Sequence, residues 1–425
     1  MKKKGGGLRS AGVLLNNRSF PFQLYLGLMA SLGVVVTMAS VPSLPQMTEY
    51  FGCPYSLSGW TVTSAMLGAM ACQFFWGPFS DHFGRKNALY VGCALAAVSS
   101  FVCYLAPSIE SVLVGRFFQG FSAGAGLIVV RALCRDLYDG VYLNRMIAFV
   151  LTVIPFSAGV APSLGDVLVQ SFGWNMPFLF LTICSLLLLG ATPFFLRGHK
   201  QSRVRISFLT ILASCRLFLQ DPITMWLSFV SAMIYMCFFI FIPSSPWIFY
   251  QFFDLQALDL SIALFAFPFG TFCGGFFQST WGWRFSSLKV SFWCWMISLL
   301  SLALNLGMLY FAPHPIFYIG CMMFFGGSMS AFNAISMAYI MKRHYPRYSG
   351  NLSSFLGVAQ TFASAVGAFV AAYVLSPFYV VALILLFCFI AFSVCLFLLF
   401  SLEGAPSLKW RFLFSATSSL QIEEL

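Results

Sequence analysis

Long apolar stretches recur along almost the whole chain, and they hold almost no charge. Runs such as 87–107, 176–196, 222–247 and 378–402 reach the roughly 20 apolar residues that an α-helix needs to cross a hydrocarbon layer. Charged side chains make up 8% of the 425 residues and hydrophobic ones 60%, whereas a soluble domain carries roughly 25% charge. A buried core with a wet surface cannot be built from that ratio. In a bilayer the backbone must satisfy its own hydrogen bonds, which leaves helices or closed barrels. The runs lack the period-two alternation of barrel strands, so the chain reads as an all-α integral membrane bundle.

Polar breaks place helices at roughly 20–45, 57–77, 87–107, 111–134, 144–170 and 176–196. A second set follows at roughly 222–247, 257–280, 288–311, 315–341, 350–374 and 378–402. The expected organisation is a basic tail (1–19), a six-helix half (20–196), a linker (197–221), a second six-helix half (222–402) and a tail (403–425). The lysines and arginines set the orientation. One series of loops carries Arg85 and Lys86, Arg135 and Arg145, Arg284 and Lys289, and Lys342, Arg343 and Arg347, and the linker and both tails are basic too. The alternate series, around 46–56, 108–110, 171–175, 248–256, 312–314 and 375–377, holds no Lys or Arg. By the positive-inside rule, both termini and the linker are cytoplasmic, and the twelve spans agree with that even count.

The net charge of +11 is thus accounted for by membrane topology, and no nucleic-acid partner is expected. The thirteen cysteines stand singly in apolar segments and read as small packing residues; no metal-ligand spacing and no cofactor motif occurs. The basic start, from Lys2 to Arg18, leads into an apolar run too long for a signal peptide, so no cleavable leader is expected.

The halves match when slid by 201 residues: Pro42 and Pro45 fall on Pro243 and Pro246, Phe51 on Phe252, Cys72 on Cys273, and Phe75 on Phe276. Six spans per repeat give both halves the same orientation. Such parallel repeats commonly enclose a midplane site and rock around it, which points to a transporter.

The strongest local signal lies between the second and third helices: Gly77-Pro-Phe-Ser-Asp81-His-Phe-Gly84-Arg85-Lys86. It resembles the G-x-x-x-D-x-x-G-R-K signature of the major facilitator superfamily at every defined position. The glycines permit a tight turn, and a carboxylate at Asp81 suits a helix N-terminus, which stabilises anions by roughly 0.3–1 kcal/mol. The resemblance implies that this N-terminus is that of the eleventh helix, near Gly350, Asn351 and Ser353, closing a cytoplasmic gate. Ala39-Ser-Val-Pro42-Ser-Leu-Pro45, Gly115-Arg116-Phe-Phe-Gln119-Gly120, Arg131-Ala-Leu-Cys-Arg135-Asp136, Ala161-Pro162-Ser-Leu-Gly165 and Ser245-Pro246-Trp-Ile-Phe look like the Bcr/CflA drug-efflux group. That resemblance implies proton-coupled export of varied small compounds across a bacterial inner membrane, by a protein expected to act as a monomer.

Several residues stand out on the spans. An arginine inside a helix is costly and marks an ion or substrate pathway; in the family pattern the arginine at Arg116 is implicated in proton transfer. It could alternatively snorkel to the outer interface. Gln119 shares its face and could bind a solute or simply pack. Arg131, Arg135 and Asp136 read as a charge cluster around Asp81, or as interfacial anchors. Pro162 and Gly165 loosen the fifth helix and permit close packing. Asp166 is either a solvated acid at headgroup level or a titrating group in the outer vestibule that could pair with Arg116. The acid that the efflux group often carries in the first helix is Met38 here. By analogy with the family, the polar cavity candidates are Thr37, Ser40, Ser231, Tyr235, Asn333 and Ser336.

The leading expectation is export of small amphipathic compounds, with protons as the coupling partner. Uptake or exchange of a metabolite without proton antiport is the alternative, prompted by Met38. No catalytic cluster is readable at depth, so an enzyme is not expected.

Overall fold

The computed structural model describes residues 19–138, 140–196, 222–255, 257–280, 287–311, 313–344, 349–374 and 376–402. The expected linker and tails fall outside the described residues, apart from Ser19. Among the described residues every regular element is helical. Eight helices there are long and apolar enough to cross a membrane.

The expected first span, 20–45, is interrupted. Helix α1 (Phe20–Met38) ends at Ala39, a short 3-10 turn covers Val41–Ser43, and α2 (Leu44–Phe51) follows. Pro42 and Pro45 fall at the starts of the turn and of α2, where a missing N–H leaves no interior bond unmade. Gly52, at φ 59, closes α2. Helix α3 (Tyr55–Cys72) then returns, and the segment expected as a loop is itself helical, α4 (Trp76–Phe83). Gly84, at φ 100, separates α4 from α5 (Arg85–Tyr104), a conformation that a side chain would strain.

Helix α6 (Ile109–Leu137) opens with a reciprocal cap in which Ser108 and Ser111 each accept from the other's backbone N–H. Its 29 residues span about 43 Å at ~1.5 Å per residue, more than the ~30 Å hydrocarbon layer. The last turns, with Arg131 and Arg135, therefore project toward one face, termed here the basic end. Helices α7 (Gly140–Phe172) and α8 (Met176–Phe195) complete the first set.

The second set is α9 (Pro222–Trp247), α10 (Ala257–Thr280), α11 (Ser287–Phe311), α12 (Pro315–His344), α13 (Ser349–Ala371) and α14 (Pro377–Leu402). Here Pro243 and Pro246 stay inside α9, which runs on into a wider π turn at Ile248–Phe252. The lost ladder bonds are absorbed by that change of register, where the first set breaks the helix instead.

Helix pairing repeats between the sets. In the first, α3 and α5 pack on α6, α5 on α8, and α1 on α7; in the second, α10 and α11 pack on α12, α11 on α14, and α9 on α13. Two apolar cores result, one around Leu26, Val129 and Phe178, the other around Ile240, Phe325 and Ile384. The sets meet mainly along two seams, α3 against α13 and α7 against α10, which exchange under the same repeat.

Candidate functional site

At the basic end, Arg85 joins two carboxylates. Its Nη1 lies 2.5 Å from Asp81 Oδ1, and its Nε donates to Asp136 Oδ2 at 2.9 Å. Nη1 also donates to Ser80 Oγ. The signature helix α4 is thereby tied to the end of α6. Burial pushes the Asp81 carboxyl up from its ordinary value, and the Arg85 charge offsets part of that rise. Lys86 sits over the Tyr90 ring, 5.6 Å from its centroid. Gly77 has open space around it. The side chains of Asn351 and Ser353, at the expected helix N-terminus, lie outside the described residues, but Gly357 of α13 abuts Gln73 at the end of α3. Of the expected charge cluster, Asp136 is joined to Asp81 through Arg85; Arg135 is exposed, Arg131 is half-buried, and neither is within ion-pair distance of the two carboxylates.

Arg116 is completely buried, at 0% exposure, so it does not snorkel to an interface. Its Nη1 donates to Val36 O and to Gln119 Oε1, each at 2.9 Å; Nη2 reaches Thr37 O and Nε reaches Thr61 O, each at 3.4 Å. Gln119 passes the contact on, donating to Ser100 Oγ at 2.6 Å. One guanidinium thus links α1, α3 and α6, with α5 joined through Gln119. The acceptors are neutral oxygens, whose dipoles replace the missing counter-ion. Backbone proximity makes the reach possible. A Cβ at Gly68 would run into Phe117 O, and one at Gly120 into Ala65 O, so these glycines hold α3 and α6 backbone to backbone. Thr37 and Ser40 are buried and bond to carbonyls of their own segment, Gly33 O and Thr37 O.

Asp166 lies at the other end of the bundle, on the α7–α10 seam. It is 2% exposed, not a solvated surface acid. Its Oδ2 accepts from Ser261 Oγ of α10 at 2.5 Å and from Gln170 Nε2 at 2.8 Å, while Ser163 Oγ donates to Ser261 O at 2.9 Å. The Asp166–Arg116 pair entertained from sequence is not formed, because Arg116 is engaged by α1 and α3 carbonyls and Asp166 faces α10. Gly165 presses α7 against Ala39 O just beyond α1. Beside it, Pro162 and Met38 face Phe241, Ser245, Phe267 and Pro268 across a small apolar cleft. Tyr55 adds another crossing contact, donating its hydroxyl to Pro243 O at 2.9 Å.

The second set has its own polar group. Gln360 Nε2 donates to Ser231 Oγ at 2.8 Å, and Ser231 Oγ donates to Asn333 Oδ1 at 2.6 Å. Ser336 is buried one turn along α12. Sequence reasoning picked out Ser231, Tyr235 and Asn333 but missed Gln360 and Ser261. Gln360 had a signal, an amide in the middle of an apolar run; Ser261 had none, since serines are common throughout these helices.

Two repeated sets of membrane-length helices, meeting along symmetric seams and enclosing polar groups at depth, define a transporter-type membrane bundle. Residues 26–368 match the family model of the Major Facilitator Superfamily, and the chain belongs to that family. Among curated relatives, the chain is 33% identical over 165 residues to an uncharacterised MFS-type transporter, YdgK, of Bacillus subtilis, covering 38% of this chain and 41% of that protein. It is 30% identical over 185 residues to a bicyclomycin resistance protein homolog of Haemophilus influenzae, covering 43% and 46%. Multidrug resistance protein D of Escherichia coli is 25% identical over 166 residues, covering 39% and 42%. These matched stretches span less than half of each relative. Among solved structures, a D-xylose-proton symporter superposes with a TM-score of 0.73 at 14% identity, covering 92% of this chain and 98% of that one, a likeness of fold.

Proposed function

We propose that the chain is a secondary transporter that exports small amphipathic compounds by alternating access, coupled to protons, from the cytoplasm across a bacterial inner membrane. In this reading it is a monomer with twelve spans, the halves are 20–196 and 222–402, and the basic end with both termini is cytoplasmic. The observation that carries it is the buried Asp166 carboxylate held by Ser261 across the α7–α10 seam. A titratable group that joins the two repeats, with hydroxyl and amide donors in place of a counter-ion, links protonation to their separation. The drug-resistance names of two relatives support the cargo class. Arg116 and Gln119 hold the first half rigid as it moves, and the Asp81–Arg85–Asp136 cluster forms the cytoplasmic gate.

The test is expression in a bacterium stripped of its own pumps, with intracellular ethidium and other dyes followed over time. Expression lowers accumulation, and a protonophore restores it. No extrusion across a broad panel, despite good membrane insertion, overturns the reading. Met38, lining an apolar cleft where the efflux group often has an acid, favours a second reading, exchange of a small metabolite without proton antiport. Ionophore-insensitive transport in proteoliposomes would select it.

A further inference from the structure

Read along the chain, the cysteines stand singly in apolar segments, but the fold brings two of them together. Cys237 in α9 and Cys388 in α14 are 151 residues apart in sequence, and their Sγ atoms face each other at 4.0 Å. Each is 1% exposed, and both are free thiols. Among the described residues no other two thiols come that close. The Cys237 thiol also reaches the carbonyl of Ile384, one turn before Cys388, at 4.0 Å, so its side chain is directed at that stretch of α14. Next to it on α9, Met236 O would meet a Cβ placed at Gly367 of α13. Close packing on that side leaves α9 little room to shift, and the helices themselves hold the two thiols face to face.

Two thiols sealed in an apolar core with Ile240, Val381 and Ile384 select among metals by softness, ligand number and charge. Thiolates favour soft ions. Zinc takes four ligands in a tetrahedron, and among the described residues no three His, Cys, Asp or Glu side chains converge on one point. A soft monovalent ion between two thiolates leaves a net negative charge, which an apolar core penalises heavily. A soft dication that takes two ligands in line leaves none, because each thiol gives up one proton on binding. Mercury(II) has that charge and that preference. Metal–thiolate bonds of about 2.3 Å, the length found for zinc, put the two sulfurs roughly 4.6 Å apart, so the pair has to open by about 0.6 Å. A disulfide of about 2.05 Å asks for a larger change, a closing of roughly 2 Å.

We infer that Cys237 and Cys388 form a two-thiol binding site for a soft, two-coordinate dication of the mercury(II) class. The reaction balances without a redox change: mercuric chloride and two Cys–SH give Cys–S–Hg–S–Cys and two HCl. Two S–H and two Hg–Cl bonds break, two Hg–S and two H–Cl bonds form, and the protons leave with chloride. The incoming salt and the occupied site are both uncharged, which suits entry through hydrocarbon. Occupancy staples α9 to α14, and α9 is the helix whose Pro243 carbonyl receives the Tyr55 hydroxyl from the other half. The site is a matter of binding alone and does not depend on the transporter reading above.

The test loads the purified full chain in detergent with mercuric chloride and then adds excess glutathione. Glutathione strips mercury from single thiols but competes poorly with two thiols fixed side by side, whose effective concentration for each other is high. Intact-mass spectrometry shows one mercury retained per chain in place of two hydrogens, and X-ray absorption at the mercury edge shows two sulfur neighbours in line. Cys237→Ser and Cys388→Ser each lower retention at least about tenfold, while Cys273→Ser, at an exposed thiol, leaves it unchanged. If a serine variant does not fold, the wild-type chain still decides: loaded, unfolded and alkylated, it shows Cys237 and Cys388 alone protected from the reagent. Retention indifferent to both serine substitutions, three or more sulfur neighbours, or protection of other cysteines in their place overturns the site.

Discussion

The two sets of helices share a packing scheme and differ in how they are held together. The first is organised by charge: Arg116 ties α1, α3 and α6 through neutral oxygens, and Arg85 ties α4 to α6 through two carboxylates. The described part of the second relies on neutral groups. Ser231, Asn333 and Gln360 link α9, α12 and α13, and Ser298 meets Ser328 at 3.0 Å. A guanidinium can satisfy several acceptors on different helices at once, whereas a hydroxyl joins two or three. The lesson is that a duplicated scaffold does not dictate duplicated fasteners.

The sharpest way to break the comparison is Arg116→Ala. It removes a buried charged hub whose four acceptor oxygens belong to three helices, so a loss of about 3 kcal/mol or more is expected. It should appear as a lower thermal midpoint and poor monodispersity in detergent. Asn333→Ala, its neutral counterpart, costs about 1–2 kcal/mol. Equal losses would show that the halves are fastened alike. Gly120→Val probes what the halves share. The new side chain would run into Ala65 O, and Gly274→Val would likewise run into Gly327 O, so both should lose about 1–3 kcal/mol. A large loss in one only would make the close approach specific to that half.

Smaller effects sharpen the contrast. Ser231→Ala interrupts the relay from Gln360 to Asn333 at a cost of about 1 kcal/mol, read by thermal unfolding. Asp166→Asn keeps an acceptor for Ser261 and should change stability by less than about 1 kcal/mol. Its signature is functional: transport in proteoliposomes should lose its dependence on the proton gradient. Retained dependence would remove Asp166 from the coupling.

Much of the helical frame was legible because hydrophobicity over twenty residues leaves a strong trace. The expected spans 222–247 and 257–280 coincide with α9 and α10. The break at Ala39 and the helical character of 76–83 were not, because prolines and glycines mark a change of course without saying whether the chain turns or re-enters a helix. The site was legible as residue types. Arg116, Asp166 and Asn333 stand out as polar groups in apolar runs. Their partners did not, since Arg116 is held largely by the carbonyls of Val36, Thr37 and Thr61, and a carbonyl has no residue identity. The meeting of Asp166 with Ser261 depends on how two distant segments pack, which no local pattern encodes.

The two seams between the sets are unequal in a way that bears on mechanics. Toward the uncharged end, α7 and α10 are clasped by Ser163, Asp166 and Ser261. At the matching depth, α3 and the end of α13 meet through Gly59 against Ala372 and through Trp60 tilted against Phe369, apolar surfaces where no titratable side chain bridges the described residues. In the proton-coupled cycle proposed above, a proton arriving at Asp166 would weaken the clasp on one edge and leave the other gliding. The motion expected from that cycle is a swing about an off-centre pivot along α3 and α13. Spin labels across the two seams would record it as a large distance change on one side and a small one on the other.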